Sequence, residues 1–409
     1  MGETEGPGTL DAISLLAQTT EELVVAGVRD THLAIVARAR SLSQQKAGLT
    51  GAAPQYLHEA VAGGVYATIG LSLKGASTGL GMAASAGLGP RLESGPGGRL
   101  FSSIVNGLIG DRLSHERPAM AIDMAPRVGN HNVPLRPQAL AAAYPEATGR
   151  VVVLIHGLFE NDASWQRARD ERTTTYAEQL TEQGWTPVVL RVNTGLSVLE
   201  NGEKLHRLLH NLVAGWPVPV ERIVLLGHSQ GGLVARAGIA SALAETLEEE
   251  AQYLSHDHGS EPAPQFDPWV NRLTDVITLG TPHRGAPLAG GVAKAATGLS
   301  RFPESAAWAR LLDSRSVGVH DLVEGLGEEV PGHPEVRFRL VSGSVTRSQS
   351  HPLGSFIGDY LVRIPSAHGR RAGHADLFPE ADTLHVPGAD HFDLLNDEQV
   401  AEALLEWLA

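Results

Sequence analysis

Residues 146–409 predict an α/β fold, a mostly parallel doubly wound sheet with helices on both faces. Three observations carry this. Strand-like and helix-like segments alternate at the short intervals that crossover connections turn into a parallel sheet. Val151-Val152-Val153-Leu154-Ile155 is an unbroken, mostly β-branched run of the kind buried on both faces. Gly227-His228-Ser229-Gln230-Gly231 stands between the apolar run Ile223-Val224-Leu225-Leu226 and the helical run Leu233-Val234-Ala235-Arg236-Ala237, so a serine occupies a strand-to-helix turn.

The elements follow in order: a strand at 151–155, a helix at 175–183, a strand at 186–192, a helix at 197–215, the strand before Ser229, and a helix from Gly231 to about Glu250. Further strands fit 276–279, 336–345 and 383–386. A last amphipathic helix bears Val400, Leu404, Leu405 and Leu408. Residues 286–330 carry Leu288, Val292, Leu299, Phe302, Trp308, Leu311 and Leu312, which suit a lid or a wall for an acyl chain as well as an ordinary cap helix.

Residues 1–145 read differently. Leu10, Ile13, Leu15, Leu16, Leu23, Val24, Val25, Val28, Leu33, Ile35 and Val36 keep a helical rhythm, and Pro126, Pro134, Pro137 and Pro145 mark a linker. A mostly helical N-terminal region joined to a catalytic domain at 146–409 is the expectation, and the region carries no motif assignable to chemistry.

Composition narrows the function classes. The 409-residue chain has a formal net charge of -14, which disfavours binding to nucleic acid or to an anionic lipid surface. With no cysteine, disulfides, thiolate metal sites and a cysteine nucleophile are excluded. The opening residues lack a basic and apolar leader, so a cytoplasmic location is expected. Residues 61–89 hold one charge, Lys74, but are built mostly from small residues, which suits closely packed helices or peripheral contact with lipid better than a membrane span.

In doubly wound sheets ligands bind at the carboxyl ends of the strands. The residues there are His156-Gly157-Leu158-Phe159, Asn193-Thr194-Gly195, Ser229, Gly280-Thr281-Pro282-His283-Arg284-Gly285, Gly358-Asp359 and Gly388-Ala389-Asp390-His391. A serine hydroxyl becomes a nucleophile when an imidazole takes its proton and a carboxylate fixes that imidazole. His391, in a glycine-containing loop before the last helix, is the expected base, and His385, inside a strand, is its rival. Asp359 is the first choice of acid, with Asp376, Asp382 and Asp393 as alternatives. The oxyanion donors are expected to be the backbone N–H groups of Gln230 and of Leu158 or Phe159. Phe159, His283 and Leu288 are the expected substrate contacts. Glu160, Asn161 and Asp162 form a polar loop with no assigned role, and His156 is expected to be a structural hydrogen-bonder. His256-Asp257-His258 reads as a solvated loop, so neither a metal nor a cofactor is expected.

These residues resemble the serine lipase/esterase branch of the α/β-hydrolase superfamily. Asn193-Thr194-Gly195, Glu200-Asn201-Gly202, Trp216-Pro217, the elbow around Ser229 and Leu279-Gly280-Thr281-Pro282-His283-Arg284-Gly285 are similar to bacterial lipases of the glycosylphosphatidylinositol inositol-deacylase-like group. Gly358-Asp359-Tyr360-Leu361-Val362 resembles the acid segment and Asp390-His391-Phe392 the histidine segment. The resemblance covers residues 150 to 409. Gln230 stands where a methionine often follows the serine, and Tyr360 where a glycine often follows the acid. It implies hydrolysis of small-molecule or lipid-like carboxylic esters through an acyl-enzyme on Ser229. Acyl transfer, thioester or amide cleavage in the same fold, or a catalytically silent scaffold module, are the alternatives.

Overall fold

The computed structural model describes residues 95–167, 174–255, 268–286, 316–328, 330, 333–346, 359 and 361–409, together with Ser14, Thr78, Met82 and Glu93. Most of the expected N-terminal helical region, the small-residue stretch 61–89 apart from Thr78 and Met82, Leu288 with the lid segment 287–315, and His256-Asp257-His258 lie outside the described residues.

The strands are β1 (Ala125–Val128), β2 (His131–Asn132), β3 (Arg150–Ile155), β4 (Thr186–Arg191), β5 (Arg222–His228), β6 (Leu273–Leu279), β7 (Arg337–Ser344) and β8 (Asp382–Pro387). They form one eight-stranded sheet in the order β2-β1-β4-β3-β5-β6-β7-β8. β3 to β8 pair in parallel, and β1 pairs antiparallel with β2 and β4. The helices are α1 (Pro96–Glu116), α2 (Pro137–Ala143), α3 (Tyr176–Glu182), α4 (Val198–Gly215), α5 (Gln230–Ser255), α6 (Val317–Glu324), α7 (Ile364–Ala367) and α8 (Glu398–Leu408). The sheet order and the helices on both faces give an α/β-hydrolase fold, as the sequence predicts.

Because strand side chains alternate between faces, a doubly covered sheet needs apolar residues at successive positions. On one face Val151, Val153, Ile155, Ile223 and Leu225 pack with Leu205, Leu208, Leu209 and Leu212 of α4 and Val234 and Ile239 of α5. On the other, Val152, Leu154, Val224, Leu226, Ile277 and Leu279 pack with Tyr176 and Leu180 of α3 and Val400, Leu404 and Leu408 of α8. Local chemistry starts these helices: Thr175 and Glu178 form a capping box before α3, Ser197 caps α4, and Asp397 caps α8.

The proline-bearing stretch before residue 146, expected as linker, contains β1, β2 and α2. Gly129 (φ 56°) and Asn130 (φ 68°) make the tight turn between the two short strands. Four-residue and two-residue strands are too short to show a periodicity, and Pro126 argues against a strand. Pro126 has no N–H to give the ladder, but its carbonyl still accepts from Val133 N–H at 2.8 Å. The compact unit holding the sheet comprises Ser103–Glu116, Ala121–Ala289 and Ser316–Ala409, so it reaches across the expected boundary at residue 146. A second unit comprises Met1–Ser102, Arg117–Met120 and Gly290–Arg315, and within it Arg117 Nη1 lies 3.1 Å from Ser14 Oγ. Among the described residues no helix is long and apolar enough to cross a membrane.

Candidate active site

The chain leaves β3 for β4 on one side and later returns to β5 on the other, so a crevice opens between the carboxyl ends of β3 and β5. Parallel register sets Ile155 beside Gly227. His156-Gly157 and Ser229 therefore emerge as neighbours. A Cβ on Gly157 would stand 2.8 Å from Ser229 Cβ, so no larger residue fits there unshifted.

Ser229 sits between β5 and α5 with φ 52°, a left-handed conformation that non-glycine residues rarely adopt. Its N–H donates to Leu279 O at 2.8 Å. The surrounding glycines have specific reasons. A Cβ on Gly227 would meet Gly232 N at 2.5 Å, one on Gly231 would meet Ile155 O at 2.2 Å, and one on Gly232 would meet Thr281 Oγ1 at 2.2 Å. The elbow is held sharp by backbone packed on backbone at Gly227 and Gly231 and on the Thr281 side chain at Gly232.

Asp359 and His391 come together at the ends of β7 and β8. His391 Nδ1 lies 2.7 Å from Asp359 Oδ2, and both residues are buried. The other carboxylate oxygen, Oδ1, accepts from Leu361 N–H at 3.0 Å and Val362 N–H at 2.7 Å, which aims the carboxylate. His391 N–H donates to Asp359 O at 3.1 Å. Gly280, at the end of β6 with φ 57°, lies beside the pair: a Cβ there would be 3.1 Å from both Asp359 Oδ2 and His391 Nδ1.

The rival residues have other partners. His385 Nδ1 and Nε2 each lie 3.0 Å from a serine oxygen, Ser342 Oγ and Ser344 Oγ. Asp376 accepts from Arg370, Asp382 pairs with Arg339, and Asp393 accepts from Asp390 N–H. His156 accepts from Val192 N–H at Nε2 and lies 3.0 Å from Gly157 O at Nδ1, so it is a neutral structural histidine, and burial pushes its pKa down.

Of the two candidate amides on the β3 side, that of Phe159 donates to Thr194 Oγ1 at 3.3 Å. The Leu158 amide has no acceptor among the described residues. Gln230 opens α5, where an N–H lacks an intrahelical acceptor. The Gln230 side chain donates to Thr194 O at 3.2 Å and Gly318 O at 3.1 Å. His283, expected to touch substrate, is fully buried, with Nε2 3.2 Å from Thr278 Oγ1 and its ring edge-on to Phe378.

Three features escaped the sequence reading. Glu160 and His228 form a buried pair directly behind Ser229, with Oε1 2.9 Å from Nδ1. The motif residues Asn193 and Asn201 are a scaffold: Asn201 Nδ2 donates to Asn193 O at 2.9 Å, and Asn193 Oδ1 accepts from Gly195 N–H at 3.1 Å. The third is the 103–116 segment of α1, which packs on the loops after β3 and β4. Asn193 Nδ2 donates to Gly110 O, Ser316 Oγ to Gly107 O, and Val317 N–H to Asp111 Oδ2. Gly107 faces Phe159, which has φ 65°, and a Cβ at Gly107 would stand 2.2 Å from Phe159 Cδ1. The helix is kinked between these two contacts, at Ile109 (φ -142°, ψ 24°), and the sequence signal is the pair Gly107 and Gly110, legible only once its partner is known. Gly107→Ala is expected to displace the Phe159 ring and lower kcat/KM about tenfold, with the denaturation midpoint nearly unchanged because alanine favours helix. Steady-state kinetics beside a urea titration checks this; wild-type kcat/KM would show that the loop does not depend on the helix.

Residues 145–300 match the model of the family described as "Putative serine esterase (DUF676)". The sheet order is that of the α/β-hydrolase fold, and the matched segment, which carries the Ser229 elbow, is similar to that family of serine esterases. No curated protein matches it. Among solved structures, lipase BlEst2 of Bacillus licheniformis in mature form is similar at 18% identity over 70% of this chain and 97% of that one, with a TM-score of 0.41. EstA of Clostridium botulinum is similar at 14% identity over 64% and 86%, with a TM-score of 0.40. Lipase 1 of Pelosinus fermentans is similar at 15% identity over 63% and 98%, with a TM-score of 0.36. The narrower likeness to inositol-deacylase-like lipases rests on motif residues alone.

Proposed function

We propose that the protein hydrolyses carboxylic esters through an acyl-enzyme on Ser229, with His391 as proton relay and Asp359 as its orienting acid. The observation that supports this most is the 2.7 Å contact between His391 Nδ1 and Asp359 Oδ2 at the strand ends that also present the Ser229 elbow. A carboxylate accepting at Nδ1 fixes the proton there and leaves Nε2 as a base.

In the acylation step Ser229 Oγ attacks the acyl carbon while His391 Nε2 takes its proton. The N–H groups of Gln230 and Leu158 receive the developing oxyanion, the latter favoured over Phe159 because the Phe159 amide is engaged by Thr194. His391 then protonates the departing alcohol, and water activated by the same nitrogen releases the acid. The substrate is a small-molecule or lipid-like ester, with Phe159 at its entry.

The test is reaction with a fluorophosphonate, followed by peptide mapping and by turnover of p-nitrophenyl esters of increasing chain length. A single adduct on the peptide containing Ser229, with ester turnover lost in step, is the expected result. An adduct elsewhere rejects the reading. Adding a competing alcohol separates hydrolysis from acyl transfer.

A further inference from the structure

Glu160 and His228 take no part in the steps above, yet they touch the Gly157 loop and the His391 backbone, and His228 adjoins Ser229 in the chain. Glu160 Oε2 accepts from Gly157 N–H at 2.8 Å, fixing the loop that carries Leu158. Its two oxygens lie 2.9 and 3.1 Å from His228 Nδ1. His228 Nε2 lies 3.0 Å from the backbone carbonyl oxygen of His391. His228 is also the residue before Ser229 in the chain, so three strand ends meet at one imidazole.

Counting protons defines the state of this pair. A carbonyl oxygen can only accept, so Nε2 of His228 carries a hydrogen. If Nδ1 were bare it would turn a lone pair toward a carboxylate, so a second proton lies between Nδ1 and Glu160. The carboxylate already accepts from Gly157 N–H, which favours its ionised form. The arrangement is therefore an imidazolium against a carboxylate, buried with side-chain exposures of 0% and 8%. Burial alone pushes the Glu160 carboxyl up, but the charge and hydrogen bond of His228, with the Gly157 amide, hold it at about 2. For His228 burial pushes down, and Glu160, the His391 carbonyl and Asp359 outweigh it, so its pKa is raised.

We infer that Glu160 and His228 form a positioning pair, a charged bridge behind Ser229 that ties the oxyanion-side loop at Gly157 to the backbone of the proton-relay residue His391. This rests on the ester-hydrolase reading of Ser229 and His391. The backbone of His391 is then gripped from both sides, its N–H by Asp359 O and its carbonyl by His228. Both grips fix the backbone from which the imidazole projects, and Asp359 at Nδ1 then sets the ring. Without the bridge the oxyanion donor and the relay can each drift relative to Ser229, and misplacement by about 1 Å costs up to about 100-fold in rate.

The chemistry of glutamine makes the inference testable. In Glu160→Gln the amide oxygen can still accept from Gly157, while the amide nitrogen donates to a neutral His228 Nδ1 and Nε2–H still reaches His391 O. In Glu160→Ala both tethers go. Expected is a fall in kcat of up to about 100-fold per fluorophosphonate-labelled site for Glu160→Ala, with KM little changed, and near-complete recovery in Glu160→Gln.

The groups facing the His228 ring are Glu160 and, beyond it, His156 on the β3 side, with Asp359 and His391 on the other side. Since folded His228 holds its proton above the usual histidine range, the bridge is complete below that range and is lost as pH rises through the raised value. The wild type should show a falling alkaline limb in kcat that Glu160→Gln lacks.

Imidazole ¹⁵N NMR of the unsubstituted protein at pH 7, which needs no variant to fold, should find both His228 nitrogens protonated. Equal kcat per labelled site in Glu160→Ala and wild type, or a singly protonated His228, overturns the pair. Should Ser229→Ala still turn over ester, the nucleophile reading fails instead, and the pair's catalytic role with it, whatever the NMR shows.

Discussion

Ser229→Ala is expected to lose ester turnover by about 10⁶-fold and to abolish fluorophosphonate labelling, the scale at which removing a nucleophile of this kind disables catalysis. The substitution isolates chemistry from folding. Alanine keeps the Cβ of serine, so the strained conformation at φ 52° is neither relieved nor worsened. The Ser229 N–H bond to Leu279 O belongs to the backbone and survives. Thermal unfolding and far-UV dichroism should match the wild type while turnover disappears. Labelling that persisted in this variant would remove Ser229 from the reaction.

Asp359→Asn should lower kcat by about 10⁴-fold. The cause is the tautomer rather than the fold. The asparagine oxygen can replace Oδ1 and accept from Leu361 and Val362 N–H as before. Its amide nitrogen then faces His391 Nδ1 and donates to it. The ring proton is forced onto Nε2, so the base that the proposed mechanism requires is lost. A ratio of kcat values within about tenfold of unity, measured on a variant with unchanged unfolding, would mean that Asp359 does not orient the base.

Much of this arrangement was legible before any coordinates. The apolar runs gave β3 and β5 because a strand covered on both faces must be apolar at every position. Glycines around Ser229 gave the elbow because contacts such as that between position 231 and Ile155 O leave no room for a Cβ. Asp359 is harder to single out, since a lone aspartate in a loop resembles many turn caps, and its Gly-Asp turn before a short apolar run is what favours it over Asp376, Asp382 and Asp393. What separates them physically is the side-chain partner: three accept from an arginine or a nearby loop amide, while Asp359 faces His391.

Other parts were not legible. Glu160 looked like one acid in a polar loop, because its meaning lies in a histidine 68 positions along the chain. His283 sits in a motif that follows a strand, and only the fold shows its ring buried edge-on to Phe378. The 103–116 segment and the β1–β2 hairpin read as helix and linker with no connection to the sheet.

By itself the sequence determined the α/β architecture, the strand ends and the residue types placed on them, since these follow from local periodicity and from short-range steric demands. Only the tertiary structure decided which of those residues face one another. Hydrogen bonds such as Asp359 to His391 and Glu160 to His228 join segments far apart in the chain, and only the strand order and register of the sheet set their distances.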